Sequence, residues 1–339
     1  MSFKFFKFLT LFFLIFTIAF AKTKLVFVFS YNLKEKSVLD QYQGTLQALK
    51  DYGFENIEKK LFELNYRQST KKSFKEKVKK VVSFINKNYP KVVFIYDDPA
   101  LISLLPYLKG KNFFVVFSGI NQKLSFYNKQ FNLFDKHERP IDNVVGVLEP
   151  LFINELITTG IFVFGNQKKY PFLVSNDITG QAVLSQALDY LKNNPNYLKK
   201  TTIYTFSTLE SYLSFLKDLN KKKNNKFSIH AVFKLRKSKN GYIGAPSIIN
   251  ITQKYYNKGL LGFADTWVEL GLTLGVSCDF WDMGYKAGVL ASKLLQGYPI
   301  SLLKVQKENK KKIIINLNSF KKINKKIPLS LLFASDEIY

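Results

Sequence analysis

Short unbroken apolar runs alternate along this chain with stretches in which apolar residues recur every three or four positions. Residues 25–30 (LVFVFS), 92–96 (VVFIY) and 113–117 (FFVVF) are continuous runs that end at polar residues. That is the pattern of a strand buried on both faces of a parallel sheet. Between the runs, Leu39, Tyr42, Leu46 and Leu49 mark one face of a helix that Gly53 closes. Phe74, Val78, Val81, Val82 and Ile85 mark a second. Residues 57–64 read as a further strand. The alternation restarts after 143–147 (NVVGV), with strands predicted at 172–174, 202–206, 228–235 and 260–263. Helices are predicted at 152–160, around Val183, Ala187, Leu188 and Leu191, along Leu209, Leu213, Leu216 and Leu219, and at 247–256. A last block offers a helix at 282–295 and a strand at 312–317.

Repeated β-α alternation predicts parallel sheets covered by helices on both faces. Two such arrays of roughly 120 residues each, a usual domain size, make an α/β chain of two doubly wound parallel-sheet lobes. Ligands of such sheets bind beyond the carboxyl ends of the strands. The polar tips that follow the runs, among them Tyr31, Asp97-Asp98, Ser118 to Asn121 and Ser175 to Asp177, all fall there.

Charge changes the picture less than its size suggests. The chain carries 51 Lys and Arg against 25 Asp and Glu, a formal +26. Only Arg67, Arg139 and Arg236 are arginines. Base readout and bidentate phosphate clamps favour Arg, so a lysine excess points to a solvated surface and not to a nucleic-acid partner. The N-terminus is more telling. Lys4 and Lys7 precede an apolar stretch at 8–18, and Ala19-Phe20-Ala21 supplies a small-x-small cleavage pattern. Residues 1–21 therefore read as a cleaved signal peptide, too short in its apolar part for a span of about 20 residues. No cysteine lies near it, so no lipid anchor is expected, and a periplasmic location follows. The single Cys278 leaves no internal disulfide.

Catalytic constellations are missing from the sequence. The two histidines, His137 and His230, are far apart, and no zinc-protease, nucleophile-elbow or Walker pattern occurs. No enzyme activity, metal or cofactor is expected. A lone Cys without a partner base reads as a small buried hydrophobe.

Four stretches together resemble the ABC-transporter substrate-binding family of the type I periplasmic binding fold, in the subgroup that takes tryptophan, tyrosine and related amino acids. Tyr42-Gln43-Gly44 with Leu46 and Gly53-Phe54 is similar to the family's first helix and its exit. Asn143-Val144-Val145-Gly146-Val147 resembles the first interlobe crossover. Gly271, Asp279, Gly284, Ala287 and Gly297 resemble the return to the first lobe. Lys326-Ile327-Pro328, Leu331-Leu332 and the final Ala334 to Ile338 resemble the C-terminus. The loop 236–241 (RKSKNG) departs from the Thr-Asp ligand loop that relatives place there.

The resemblance implies a first lobe of 22–142 plus 266–299 and a second of 147–262 plus 304–339. The multi-strand hinge would lie near 143–148, 263–266 and 299–304. It implies a monomer that captures a small molecule, best an aromatic or branched amino acid, by lobe closure and hands it to a membrane permease. A sensor protein docking on a receptor kinase is the alternative, and nucleosides, small peptides and organic acids stay open as ligands. A zwitterion needs donors for its carboxylate, a carboxylate for its ammonium and an apolar wall. Ser118, Asn121, Ser175 and Asn176 offer donors at strand tips, though each also suits a helix cap. Asp97, Asp98, Asp177 and Asp265 are candidates for the ammonium, Asp98 being equally a turn residue before Pro99. Tyr31, Trp267, Phe280 and Trp281 are candidates for the wall.

Overall fold

The computed structural model describes residues 22–237 and 241–339. The signal-peptide reading of 1–21 lies outside the described residues. The chain begins with β1 (Thr23–Phe29), α1 (Lys36–Asp51), β2 (Ile57–Glu63), α2 (Lys71–Asn88) and β3 (Val92–Tyr96). It continues with α3 (Asp98–Leu108), β4 (Phe114–Ile120), α4 (Leu124–Phe131) and β5 (Val144–Leu148). The second array runs α5 (Ile153–Phe164), β6 (Tyr170–Ser175), α6 (Ile178–Lys192), α7 (Pro195–Leu198), β7 (Thr201–Phe206), α8 (Leu209–Lys221) and β8 (Phe227–Ala231). A hairpin of β9 (Lys234–Arg236) and β10 (Tyr242–Gly244) follows, then α9 (Ala245–Tyr255), β11 (Gly259–Gly262), α10 (Asp265–Glu269) and β12 (Leu274–Cys278). The remainder is α11 (Phe280–Leu295), β13 (Gln306–Lys307), β14 (Lys311–Ile315), α12 (Leu317–Lys322), α13 (Leu329–Ala334) and β15 (Glu337–Ile338).

Two sheets form. The first has the order β13-β5-β4-β3-β1-β2 and is parallel throughout. The second has the order β15-β14-β12-β11-β8-β6-β7, with one antiparallel pair, β12 with β14. The unbroken apolar runs became central strands: every residue of β3 is buried, and so is every residue of β8. β2, at the edge of the first sheet, carries Glu58, Lys59 and Lys60 outward, which discourages edge-to-edge pairing.

Three crossovers join the lobes among the described residues, and each lies outside the hinge segment expected for it. The first is 149–152, just past β5, because β5 itself is a full member of the first sheet. The second is Asp279 alone, between β12 and α11. Residues 266–278 were expected in the first lobe, but β12 pairs with β11 and β14 in the second sheet. The alternation of Gly275 and Ser277 with apolar residues hid this strand. Gly275 is required there, since a Cβ would stand 2.6 Å from Val268. The third crossover is 308–310, between β13 of the first sheet and β14 of the second, and not 299–304. The 304–310 stretch also begins in the first sheet, through β13.

The crossovers touch. The Cys278 thiol donates to the Pro150 carbonyl at 3.2 Å. Glu308, fully buried, accepts both contacts of Lys286 Nζ at 2.9 and 3.0 Å and the backbone N–H of Asn309 and Lys310. α11 packs on α1 with backbone against backbone. A Cβ at Gly284 would stand 1.9 Å from the Gln41 carbonyl, and one at Gly44 would stand 2.0 Å from the Trp281 carbonyl. Only glycine permits that approach.

Candidate functional site

The carboxyl ends of both sheets face each other, and the lobes are in contact across them. Tyr31 Oη and Thr179 Oγ1 are 2.6 Å apart. The Ser37 N–H donates to Thr266 Oγ1 at 3.0 Å, and Lys36 Nζ donates to Asp265 Oδ2 at 3.0 Å. Gln186 Nε2 donates to the Asn121 carbonyl at 2.7 Å. From the hairpin, Lys234 Nζ reaches the carbonyls of Tyr66 and Ser69 at 2.7 and 2.9 Å.

These contacts enclose a cavity of about 30 Å³. Its first-lobe wall is Tyr31, Ser37, Arg67, Asp97 and Asn121. Its second-lobe wall is Thr179, Val183, Phe233, Phe263, Ala264 and Trp267, and the crossovers give Glu149, Leu151 and Phe280. The Phe233 and Trp267 rings lie 4.5 Å apart. The Arg67 guanidinium stacks 3.6 Å above the Tyr31 ring and pairs with Glu35. Its Nε is buried without a partner among the described residues.

Asp97 is the outstanding group. It caps β3, where the chain turns into α3 with φ +65° and ψ 159°, a conformation natural only to glycine. Its side chain makes no cap hydrogen bond, and Oδ2 is buried with no partner among the described residues. Burial pushes its carboxyl well above the ordinary range, and the neighbouring Glu149 adds to the shift. Glu149 is pushed up to about 8, chiefly by burial. The Arg67 charge pulls both carboxyls back toward the ordinary range without offsetting their burial.

The sequence candidates divide. Tyr31, Asp97, Asn121, Trp267 and Phe280 meet in the cavity. Asp98 does not. Its oxygens accept from the N–H of Asn121 and Gln122 and from Tyr127 Oη, so it ties β4 to α3. Ser118 donates to Gln41 Oε1 beneath the site. Ser175 bonds Asp177 Oδ1 at 2.5 Å and accepts from the Phe233 N–H, which ends β8 and starts the hairpin. The expected single strand at 228–235 is broken for this reason. Asp265 is a buried interlobe anchor for Lys36. Trp281 stacks on Tyr285 on the outer side, half exposed.

Asn176 and Asp177 line a second, larger space. A groove of about 550 Å³ opens outside the cavity, between α2 and α3 on one side and the tips of β6, β7 and the hairpin on the other. Arg67 and Glu149 escaped the sequence reading. Arg67 had a signal: it is one of three arginines among 51 basic residues, and a cation stacked on an aromatic ring favours Arg.

Comparison with known proteins matches this architecture. The family profile described as ABC transporter substrate binding protein matches residues 28–338. A search of curated protein sequences gave no match. Among solved structures, an ABC domain from Streptococcus pneumonia in complex with L-Trp superposes with a TM-score of 0.74 at 17% identity, over 94% of this chain and 100% of that one. A substrate binding protein with adhesive properties from Clostridium difficile, in its ligand-free, open form, gives 0.66 at 14% identity, over 94% and 99%. The complex of the TorS sensor domain with TorT gives 0.53 at 12% identity, over 93% and 96%. At these identities the likeness is one of fold, that of type I periplasmic binding proteins. The profile spans nearly the whole chain, and the protein belongs to the ABC transporter substrate-binding protein family.

Proposed function

We propose that this protein is the periplasmic solute-binding component of an ABC importer, and that it captures an aromatic or branched amino acid between its lobes. The observation that carries the reading is the Asp97 carboxyl: buried, without a hydrogen-bond partner at Oδ2 among the described residues, and facing a cavity walled by Tyr31, Trp267, Phe233, Phe263 and Phe280. A ligand ammonium supplies the missing donor, and its apolar side chain takes the aromatic wall once the lobes part, since the space of about 30 Å³ between them is water-sized. Arg67 and Asn121 offer donors to the carboxylate end. Closure about the three crossovers buries the ligand and presents a joined surface to the permease. In the Streptococcus structure the ligand is L-Trp, which supports this ligand class.

A thermal-shift screen of the purified chain against the amino acids, nucleosides, sugars and organic acids tests it. A ligand at 100 times its Kd adds about 2.7 kcal/mol to stability. A response confined to sugars or nucleosides would sink the amino-acid reading. The likeness to TorT favours a second reading, a sensor protein docking on a receptor kinase. Pull-down of a permease, rather than a sensor domain, from solubilised membranes separates the two.

A further inference from the structure

The inner cavity and the outer groove are separated by a wall one residue thick. Three pairs of consecutive residues build it: Tyr66 faces the groove and Arg67 the cavity, Ile178 the groove and Thr179 the cavity, Lys234 the groove and Phe233 the cavity. The wall is sealed from opposite lobes, by the Ile178 N–H donating to Tyr66 Oη at 3.2 Å and by Lys234 Nζ on the Tyr66 carbonyl. Opening of the lobes therefore merges the two spaces.

Two buried polar atoms at this wall have no partner among the described residues. Arg67 Nε, on the cavity side, is a donor in need of an acceptor. Asp177 Oδ2, on the groove side, is an acceptor in need of a donor. The two side chains are near enough that the Arg67 charge acts on the Asp177 carboxyl, yet no hydrogen bond joins them. Of common groups, an amide carries one acceptor and one donor on adjacent atoms. Beyond the wall, the groove continues along Phe74, Val78, Ile102 and Tyr107, and Lys71 and Lys75 stand on the first turns of α2.

We propose that cavity and groove are two compartments of one site, and that its preferred ligand is a dipeptide-class zwitterion whose amide crosses the wall between Arg67 and Asp177. This deepens the proposed function and rests on it. The N-terminal ammonium meets Asp97, and the first side chain takes the aromatic cavity. The second side chain lies in the groove, and the terminal carboxylate meets Lys71 and Lys75. The hairpin strands β9 and β10 supply Lys234 and Tyr242 to the lining of this groove.

Isothermal titration with L-tryptophan, L-phenylalanine and the dipeptides Trp-Leu, Phe-Leu and Leu-Leu tests the proposal. At least one dipeptide is expected to bind about tenfold or more tighter than its free N-terminal amino acid, as two charge-assisted hydrogen bonds require. Ser103→Trp fills the groove from a half-buried position on α3. It is expected to remove that advantage while leaving the free amino acid unaffected. Asp177→Asn keeps an acceptor for the Gly180 N–H cap and is expected to weaken the dipeptide alone. Dipeptides that bind no tighter than amino acids overturn the proposal and leave the importer reading intact, as does tight dipeptide binding that survives both substitutions. No binding by either class overturns both.

Discussion

Asp97→Gly should make this protein more stable and less able to bind. In the folded chain Asp97 sits at φ +65° and ψ 159°, where a side chain costs about 1–3 kcal/mol and glycine costs little. Its buried Oδ2, without a partner among the described residues, adds a desolvation cost of about 1–3 kcal/mol. Opposing these, glycine loses about 0.5–1 kcal/mol more than other residues through its freedom in the unfolded chain. The balance favours the variant by about 1–5.5 kcal/mol. For a chain of this length each kcal/mol moves Tm by about 2 °C, so a rise of about 2–11 °C is expected. The same substitution removes the partner of the ligand ammonium and should weaken binding by about tenfold or more. Differential scanning fluorimetry, with and without the best ligand of the wild-type screen, reads both effects on one plate. A Tm that falls, or a ligand response that persists undiminished, would refute the reasoning: either the strain is not there or Asp97 does not hold the ligand.

Other expectations follow from the same geometry. Glu149, with its carboxyl pushed from 4.5 to about 8, favours its protonated form when folded, so it lowers stability as pH rises through that window. Between pH 6.5 and 8, above the range in which buried His230 (pushed down to about 4) acts with the opposite sign, denaturant titrations should show a falling stability that Glu149→Gln makes shallower, Asp97 keeping part of the slope. Lys36→Met leaves the buried Asp265 carboxylate without its ammonium and should cost about 3 kcal/mol, with a more open envelope by small-angle scattering. An unchanged scattering profile would show that this ion pair does not hold the lobes together. Gly284→Ala pushes a methyl into the Gln41 carbonyl, 1.9 Å away, and should destabilise by about 3 kcal/mol or more, read by thermal denaturation. Trp267→Ala should abolish the response to aromatic ligands while the circular dichroism spectrum stays that of the wild type.

The central strands of the first array were legible because they are buried on both faces, so their residues could not alternate. β3 and β4 match the runs at 92–96 and 113–117 closely. β12 was not legible, because its glycine and serine answer to neighbours from α10 and β14, which only the folded chain brings near. With β12 unseen, the return to the first lobe moved more than ten residues early. In the site, Tyr31, Asp97 and Trp267 were readable as tips of strands or as residues just beyond them. Asp98 and Asp265 had the same appearance in sequence, yet backbone N–H groups satisfy one and a lysine from the other lobe the second. Nothing local separates a satisfied carboxylate from an orphaned one. Arg67 lay in a loop with no apolar pattern, and only its rarity marked it.

The helix pair α1 and α11 has a consequence for how the chain becomes a protein. The face of α1 that carries Gly44, close to the N-terminus, packs against a helix that ends at residue 295, and the outermost strand of the first sheet comes later still, at 306–307. Between them lies the whole of the second array. The first lobe therefore cannot complete its own packing as it is synthesised, and its decisive contacts span more than two hundred residues of intervening chain. Such long-range closure slows folding. A nascent chain of this design leaves the close contacts of Gly44 and Gln41 with α11 open until almost all of it has been made.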